Sequence, residues 1–211
     1  MSVVRRARAK IYDAAIVRHM TAGWYRAVLA RLAPGCRLLD VGIGTGSELL
    51  ANADVIVAKQ LYVTGVDIDA AYVERCNRAV LKAGLADRVS ARLESVYDHR
   101  GGPYDAAYFS ASFMLLPDPA AALQHLRALL AADAIVYFTQ TFEHERSRMI
   151  ETLKPLLRLV TTIDFGRVTY EDEFRRALGR GGLELTELET LDSRPQRSGV
   201  LAVARPAARV R

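Results

Sequence analysis

The chain has 211 residues, of which 51% are apolar and 25% are charged. This length and composition indicate one globular domain with enough residues to bury a large core. The sequence contains no run near the roughly 20 apolar residues that a membrane-spanning helix needs. Its basic start lacks the apolar core of a secretory signal, so we expect a cytoplasmic protein, with a short organelle-targeting segment as the alternative.

The formal net charge of +5 arises at the two ends of the chain. Residues 1–10 and 205–211 hold seven of the 29 basic side chains and no acid, so residues 11–204 carry 22 bases and 24 acids. A domain that binds nucleic acid through its folded surface would carry an excess of bases there. The charge pattern therefore predicts two basic tails and gives no strong nucleic-acid signature.

The two cysteines, Cys36 and Cys76, belong to no pattern with the spacing of metal ligands. The four histidines form no such pattern with them either. We therefore predict no metal site and no disulfide framework, and we expect reduced thiols.

Apolar runs alternate with helical patterns along the chain, which is typical of a parallel sheet flanked by helices. Strands are predicted over residues 37–41, 61–66, 89–93, 106–110, 135–139, 183–191 and 199–204. Helices are predicted over residues 11–32, 47–58, 70–83, 119–131 and 143–159, and a last helix is expected to run from an N-cap at Thr169 to Gly181. The fold class is thus α/β: a doubly wound, mostly parallel seven-stranded sheet with helices on both faces and an antiparallel last strand.

A glycine-rich loop joins the first predicted strand to the next helix. Gly42, Gly44 and Gly46 alternate there, two residues after Asp40. Such glycines let a ligand approach the backbone closely. Open α/β sheets bind ligands at the carboxyl ends of their strands, which is where this loop lies. A dinucleotide site needs G-x-G-x-x-G, but its third position here is Ser47, and Asp40 would repel a pyrophosphate. The carboxylate suits a cationic ligand without phosphate, such as S-adenosylmethionine, so a dehydrogenase is disfavoured.

This segment resembles motif I of the class I, Rossmann-like S-adenosylmethionine-dependent methyltransferases, whose pattern is (D/E)-x-G-x-G-x-G. Three later segments agree with the family in order and spacing: VDID at 66–69, LES at 93–95 and YDAA at 104–107. The resemblance is strong over residues 35–140. It implies S-adenosyl-L-methionine as cofactor and S-adenosyl-L-homocysteine as product.

The resemblance also implies roles for residues that follow the second and third strands. Asp67 would accept hydrogen bonds from both ribose hydroxyls, and Ile68 would pack on the adenine. Asp69 is the alternative acid, although a role as the cap of the next helix explains it adequately. Glu94 would accept from the adenine amino group and the Ser95 N–H would reach a ring nitrogen, the alternative for Glu94 being an exposed strand end.

The N-terminal helix is expected to close over the cofactor, as such segments do in relatives. One face of it starts at Tyr12 and includes His19. Tyr12 is the candidate to reach the methionine carboxylate, and Ser110, at the end of the fourth strand, is expected to complete the cofactor contacts. A helix packed purely as core is the alternative. His19 and His144 are the candidates for a general base.

The resemblance divides the chain by function. Residues 1–34 would form a basic tail and lid helix, 35–205 the cofactor-binding domain with 141–170 as a substrate or lid segment, and 206–211 a second basic tail. The chain departs from the family at 131–134, where many members have a Gly-Gly turn and this sequence reads AADA.

The expected reaction is in-line transfer of a methyl group to a small-molecule acceptor. Enzymes that methylate planar amino groups often have (D/N)-P-P-(Y/F) after the fourth strand, whereas residues 110–113 read SASF, so that only the aromatic residue matches. The alternatives are a methyltransferase that acts on RNA or protein, and a catalytically silent subunit that binds the cofactor.

Overall fold

The computed structural model of the protein describes residues 21–143 and 169–207. The strands in chain order are β1 (Arg37–Val41), β2 (Tyr62–Asp67), β3 (Val89–Leu93), β4 (Tyr104–Ser110), β5 (Leu130–Glu143), β6 (Leu183–Arg194) and β7 (Arg197–Pro206). The helices are α1, described over 21–31, α2 (Ser47–Leu50), α3 (Ala53–Ala58), α4 (Ala70–Lys82), α5 (Pro119–Arg127) and α6 (Glu171–Arg180). In this part of the chain, no helix has the length and apolar character needed to cross a membrane.

The strands form one seven-stranded sheet in the order β3-β2-β1-β4-β5-β7-β6. Strands β1 to β5 pair in parallel, whereas β7 lies between β5 and β6 and runs antiparallel to both. The predicted fold class, with its antiparallel last strand, is confirmed. Because the strand order reverses between β1 and β4, the loops after these two strands border a crevice at the carboxyl edge of the sheet.

Each face of the sheet has its own apolar core. Successive residues of β1 point to opposite faces, so Leu38 joins one core and Leu39 the other. The first core is covered by α1 to α4, and the second by α5 and α6. Helix α1 buries Val28 and Leu29 completely in the first core. The helix therefore holds a fixed position beside the carboxyl end of β1.

The helix predicted over 47–58 is divided in two at Asn52. The Asn52 side-chain amide donates to the carbonyl of Glu48 at 2.9 Å and to that of Ala22, in α1, at 3.0 Å. Asn52 competes in this way for a carbonyl of its own helix, which favours a break. The same amide ties the end of α2 to α1.

Helix α5 ends at Arg127, four residues before its predicted end. The Tyr104 N–H donates to the Leu129 carbonyl, and Leu130 already pairs with Tyr104 in the sheet. The next pair is Ala106 with Ile135, so residues 131–134 form a bulge at the start of β5. The AADA segment, where many members of the family have a turn, is therefore part of a strand.

Thr169 is not the N-cap of the last helix, contrary to our prediction. The N-cap residue is Tyr170, and the Thr169 hydroxyl oxygen instead accepts from the Gln140 side-chain amide at 3.2 Å. The carbonyl of Thr169 also accepts from the Glu143 N–H, so Thr169 extends the hydrogen bonding of β5. The helix predicted over 143–159 lies outside the described residues except for Glu143, which ends β5.

Candidate cofactor and active site

The three glycines of the loop after β1 all have left-handed backbone, with φ of 79° at Gly42, 59° at Gly44 and 67° at Gly46. A Cβ at Gly42 would lie 2.7 Å from the Cβ of Ser112, and one at Gly46 would lie 2.5 Å from the Sγ of Cys76. A Cβ at Gly44 would meet nothing within 4 Å. Gly42 and Gly46 thus let the loop pack on the protein, whereas Gly44 exposes its backbone to the crevice.

Asp40 is fully buried near the end of β1. The Tyr25 hydroxyl donates to its Oδ2 at 2.9 Å, while Oδ1 is buried without a hydrogen-bond partner among the described residues. Burial raises the pKa of Asp40 to about 7; the Tyr25 hydrogen bond lowers it, and the charges of Asp67 and Glu48 raise it. An unpartnered buried carboxylate oxygen is costly, so a cationic ligand group placed there would be stabilised.

Tyr25 belongs to a row of three buried hydroxyl side chains, Tyr25, Tyr108 and Thr139, which we call the buried polar line. Its ring packs edge-on against Tyr108 with centroids 4.9 Å apart, and the Tyr108 hydroxyl lies 2.7 Å from the hydroxyl of Thr139. Burial and the charge of Asp40 raise the pKa of Tyr25 well above its usual value, so the phenol stays a donor. The tyrosine predicted to contact the ligand from this helix is Tyr12, which lies outside the described residues. Tyr25 could have been noticed as a phenol within the apolar face of α1.

Asp67, at the end of β2, holds the glycine loop. Its Oδ2 accepts from the Gly44 N–H and its Oδ1 accepts from the Asp69 N–H, both at 2.9 Å. Each oxygen keeps a lone pair for a further donor, so the predicted ribose contacts are chemically compatible with these bonds. Asp69 caps α4 by accepting from the N–H groups of Ala71 and Tyr72, which confirms its interpretation as a helix cap.

The residues predicted to contact adenine follow β2 and β3. The Ile68 side chain is 79% exposed, which leaves its apolar surface available to a ligand. The Glu94 N–H donates to the Asp67 carbonyl at 3.1 Å, and the Ser95 hydroxyl oxygen accepts from the Tyr97 N–H at 3.3 Å. Ile68, Asp67 and Glu94 therefore lie together at the ends of two neighbouring strands.

A buried histidine, for which no role was predicted, supports Glu94. The Nδ1 of His99 lies 2.6 Å from Glu94 Oε2, and its Nε2 lies 2.8 Å from the Tyr104 hydroxyl. His125, on α5, is half-buried, with its Nε2 2.8 Å from the His99 carbonyl. A loop position without periodicity gave no sign that His99 would be buried.

The end of β4 closes tightly against β1. Ala111 adopts a φ of 53°, which is uncommon for a residue other than glycine, and the Ser112 hydroxyl donates to the Val41 carbonyl. Ser110 is half-buried, and its hydroxyl oxygen is buried without a hydrogen-bond partner among the described residues. The turn points Phe113 away from the crevice and into the second core, where it is 1% exposed.

The two candidates for a general base, His19 and His144, lie outside the described residues, as Tyr12 does. The histidines that the structure describes, His99 and His125, lie beside β3 and on α5. Both are held by other groups: His99 contacts Glu94 and Tyr104, and His125 contacts the His99 carbonyl. The assignment of a base therefore stays a prediction.

A family model described as a methyltransferase domain matches residues 12–188. Among solved structures, the chain is similar to the [4+2]-cyclase SpnF, with 17% identity, 88% of this chain and 81% of that chain covered, and a TM-score of 0.71. It is similar to a geranyl diphosphate C-methyltransferase from Streptomyces coelicolor A3(2), with 15% identity, 88% and 78% coverage, and a TM-score of 0.69. A methyltransferase from Aquifex aeolicus matches with 21% identity, 85% and 88% coverage, and a TM-score of 0.65.

The site residues fit the cofactor of this family. The unpartnered buried oxygen of Asp40 suits an α-ammonium group, and the open space at Gly44 leaves the backbone free for a close ligand. The family model covers far more than half of the chain, and the similar structures share its fold. The chain therefore belongs to the methyltransferase domain family and is an S-adenosylmethionine-dependent methyltransferase.

Proposed function

We propose that the protein methylates a small-molecule acceptor by in-line displacement. The position of Phe113 carries this proposal. A base flipped out for methylation of its amino group needs an exposed aromatic face on which to stack. The only aromatic residue of the SASF segment is instead packed among Phe109, Phe138 and Phe174, with centroids 4.9 to 5.7 Å away.

Two further observations support a small acceptor. Residues 11–204 carry more acids than bases, which disfavours a polyanionic acceptor. Among the proteins of similar fold, one is named for methylating geranyl diphosphate and another is a mitomycin 7-O-methyltransferase. The fold thus accommodates small acceptors in those proteins, and we extend that class to this chain.

The contribution of the chain to catalysis is mainly orientation. When bound, S-adenosylmethionine supplies a methyl group that is attached to a sulfonium. Transfer of this methyl group leaves a neutral thioether. Asp40 would hold the ammonium group, Asp67 the ribose, and Gly44 would permit close approach of the backbone. Holding the acceptor in line with the methyl group can contribute up to about 7–11 kcal/mol.

The buried hydroxyls near the crevice would serve as hydrogen-bond groups. Burial raises the pKa of both Tyr25 and Tyr108 well above their usual value, so neither phenol is ionised at neutral pH. A general base is required only if the acceptor carries a proton of high pKa. His19 and His144 are proposed for that case.

Methyl-labelled cofactor tests the acceptor class. We expect label in the low-molecular-weight fraction of a cell extract, and none in separate pools of RNA and protein. The variant Gly44→Val, which fills the open space at the loop, is the control and should abolish labelling of every pool. Label in RNA or protein would contradict the proposal. Absence of label from all pools, with intact binding of S-adenosylhomocysteine, would instead favour the silent cofactor-binding subunit.

A further inference from the structure

The loop between β3 and β4 buries an imidazole behind the predicted adenine contact. His99 has no exposed surface, and its two ring nitrogens lie 2.6 Å from Glu94 Oε2 and 2.8 Å from the Tyr104 hydroxyl. The ring cannot rotate without breaking one of these hydrogen bonds. A buried polar side chain that is satisfied on both sides rigidifies its neighbours.

The chemistry of the partners gives the direction of the first hydrogen bond. A carboxylate oxygen accepts, so the Nδ1–H of His99 donates to Glu94. The Tyr104 hydroxyl, which can donate or accept, satisfies Nε2. Gly101 packs over this pair, because a Cβ there would lie 2.4 Å from the Tyr104 hydroxyl and 2.5 Å from His99 Nε2. These contacts leave the imidazole one position.

The second oxygen of Glu94 has no hydrogen-bond partner among the described residues and lies on a partly exposed side chain. The Glu94 side chain is 36% exposed although its Oε2 is held by His99, so Oε1 remains open to a ligand. The Glu94 N–H donates to the Asp67 carbonyl, and Leu93 pairs with Asp67 across β2 and β3. The two carboxylates therefore end adjacent strands, as the ribose and base of one nucleoside require.

We propose that His99 is a positioning residue for purine selection: it holds one oxygen of Glu94 so that the other accepts from the exocyclic amino group of adenine. A 6-oxopurine presents a carbonyl oxygen at the same place, and two acceptors facing each other repel. His99 thus sets the preference of the site for an adenine nucleoside. This inference rests on the predicted contact of Glu94 with adenine, and not on the class of methyl acceptor.

Calorimetric titration with S-adenosylhomocysteine and S-inosylhomocysteine tests the proposal, because the ratio of the two affinities measures purine selection. We expect the natural protein to prefer the adenosyl ligand by roughly 10- to 100-fold, as for a hydrogen bond to a charged group. His99→Gln places its amide near the Nε2 position, where it can contact Tyr104 but not Glu94, and should reduce the ratio to a few-fold. His99→Asn places its amide near the Nδ1 position and should keep most of the preference.

Glu94→Gln completes the experiment, since its amide can donate to a 6-oxo group and should erase or reverse the preference. An unchanged ratio in His99→Gln, with both ligands weakened equally, would overturn the proposal and leave His99 a purely structural role. An unchanged ratio in Glu94→Gln would overturn it by removing Glu94 from adenine recognition. If His99→Gln does not fold, His99→Leu replaces it with the same expected ratio. Because binding alone is measured, a wrong acceptor class would not affect the result.

Discussion

Two carboxylates at the carboxyl edge of the sheet, those of Asp40 and Glu94, are held in the same manner but are buried to different extents. Asp40 receives the phenol of Tyr25 on one oxygen, and Glu94 receives the imidazole of His99 on one oxygen. Asp40 is fully buried, whereas the Glu94 side chain is 36% exposed. On the roles proposed above, Asp40 would distinguish ligands by charge, since its own ionisation is costly, and Glu94 would distinguish them by the direction of a hydrogen bond.

Asp40→Asn should have the largest effect on cofactor binding. Removing one member of a buried charge pair typically costs about 2–5 kcal/mol, so we expect S-adenosylhomocysteine to bind at least tenfold more weakly above neutral pH. Calorimetric titration measures this loss. Asp54→Asn is the matched control, because Asp54 forms an exposed ion pair with Arg26 at 3.0 Å. Equal affinity of Asp40→Asn and the natural protein would show that the buried carboxylate does not hold the ammonium group.

The burial of Asp40 also predicts a pH dependence of stability. Its pKa is about 7 in the folded state against an ordinary value of 3.8, so the folded state binds this proton more tightly. The stability that Asp40 contributes is fully present below about pH 4 and is lost as the pH rises to about 7. This loss lowers the free energy of unfolding by up to roughly 4 kcal/mol. Denaturation of the ligand-free protein across this range measures the slope, and Asp40→Asn should flatten it. A slope equally steep in that variant would assign the titration to another group.

Asp67→Ala should weaken cofactor binding by about 1.5–3 kcal/mol, the range for hydrogen bonds to a charged group. The loss combines the ribose contacts with the support of the Gly44 N–H. Asp69→Ala is the control: it removes the cap of α4 and should cost about 1 kcal/mol of stability while leaving affinity unchanged. The opposite pattern of affinities would mean that Asp69 is the ribose acid.

Tyr25→Phe should have a smaller effect, about 1 kcal/mol of binding free energy at neutral pH. The Tyr25 hydrogen bond lowers the pKa of Asp40. Its loss should therefore raise the pH below which the affinity for the cofactor falls. Tyr108→Phe removes an equally buried hydroxyl whose partner is Thr139, and should leave that pH unchanged. A similar shift in both variants would show a general effect of the buried polar line.

Removing the basic ends should have the smallest effect. Deleting residues 1–10 and 208–211 removes six basic side chains and no acid. The deletion stops at 207 because β7 continues to Pro206 and the Ala207 N–H donates to the Gly182 carbonyl. Turnover of a small acceptor should change by no more than a few-fold. A steep, salt-dependent loss of methyl transfer to RNA would favour a polyanionic acceptor.

The strands around the glycine loop could be predicted closely from the sequence. The bounds of β1 and β3 agree with the prediction because β1 is a short, mostly apolar run that ends at the glycine loop, and β3 alternates apolar with polar residues. Strand β5 was predicted over five residues but spans Leu130–Glu143. Residues 140–143 belong to it because they pair with β7, which arrives from far along the chain, and residues 131–134 belong to it because β5 bulges opposite β4. Such pairing leaves no local pattern.

The polar contacts of the site were less predictable than the fold. Asp40 and the glycines follow a motif, but Tyr25 meets Asp40 only because α1 packs across the sheet. Asn52 likewise reaches a carbonyl of α1, a contact that depends on the packing of that helix. Glu94 and His99 are five residues apart in an irregular loop, where no periodicity indicates which side chains turn inward.

The contact between Gly46 and Cys76 allows the opening of the glycine loop to be measured by thiol labelling. The Cys76 thiol is completely buried directly behind Gly46, and burial raises its pKa to about 11. A thiol reagent can therefore reach Cys76 only during moments when the loop and α4 separate, so its labelling rate reports the free energy of that opening. Cofactor bound over the loop should slow this reaction in proportion to its occupancy. The reactivity of Cys76 thus reports how often the glycine loop separates from α4.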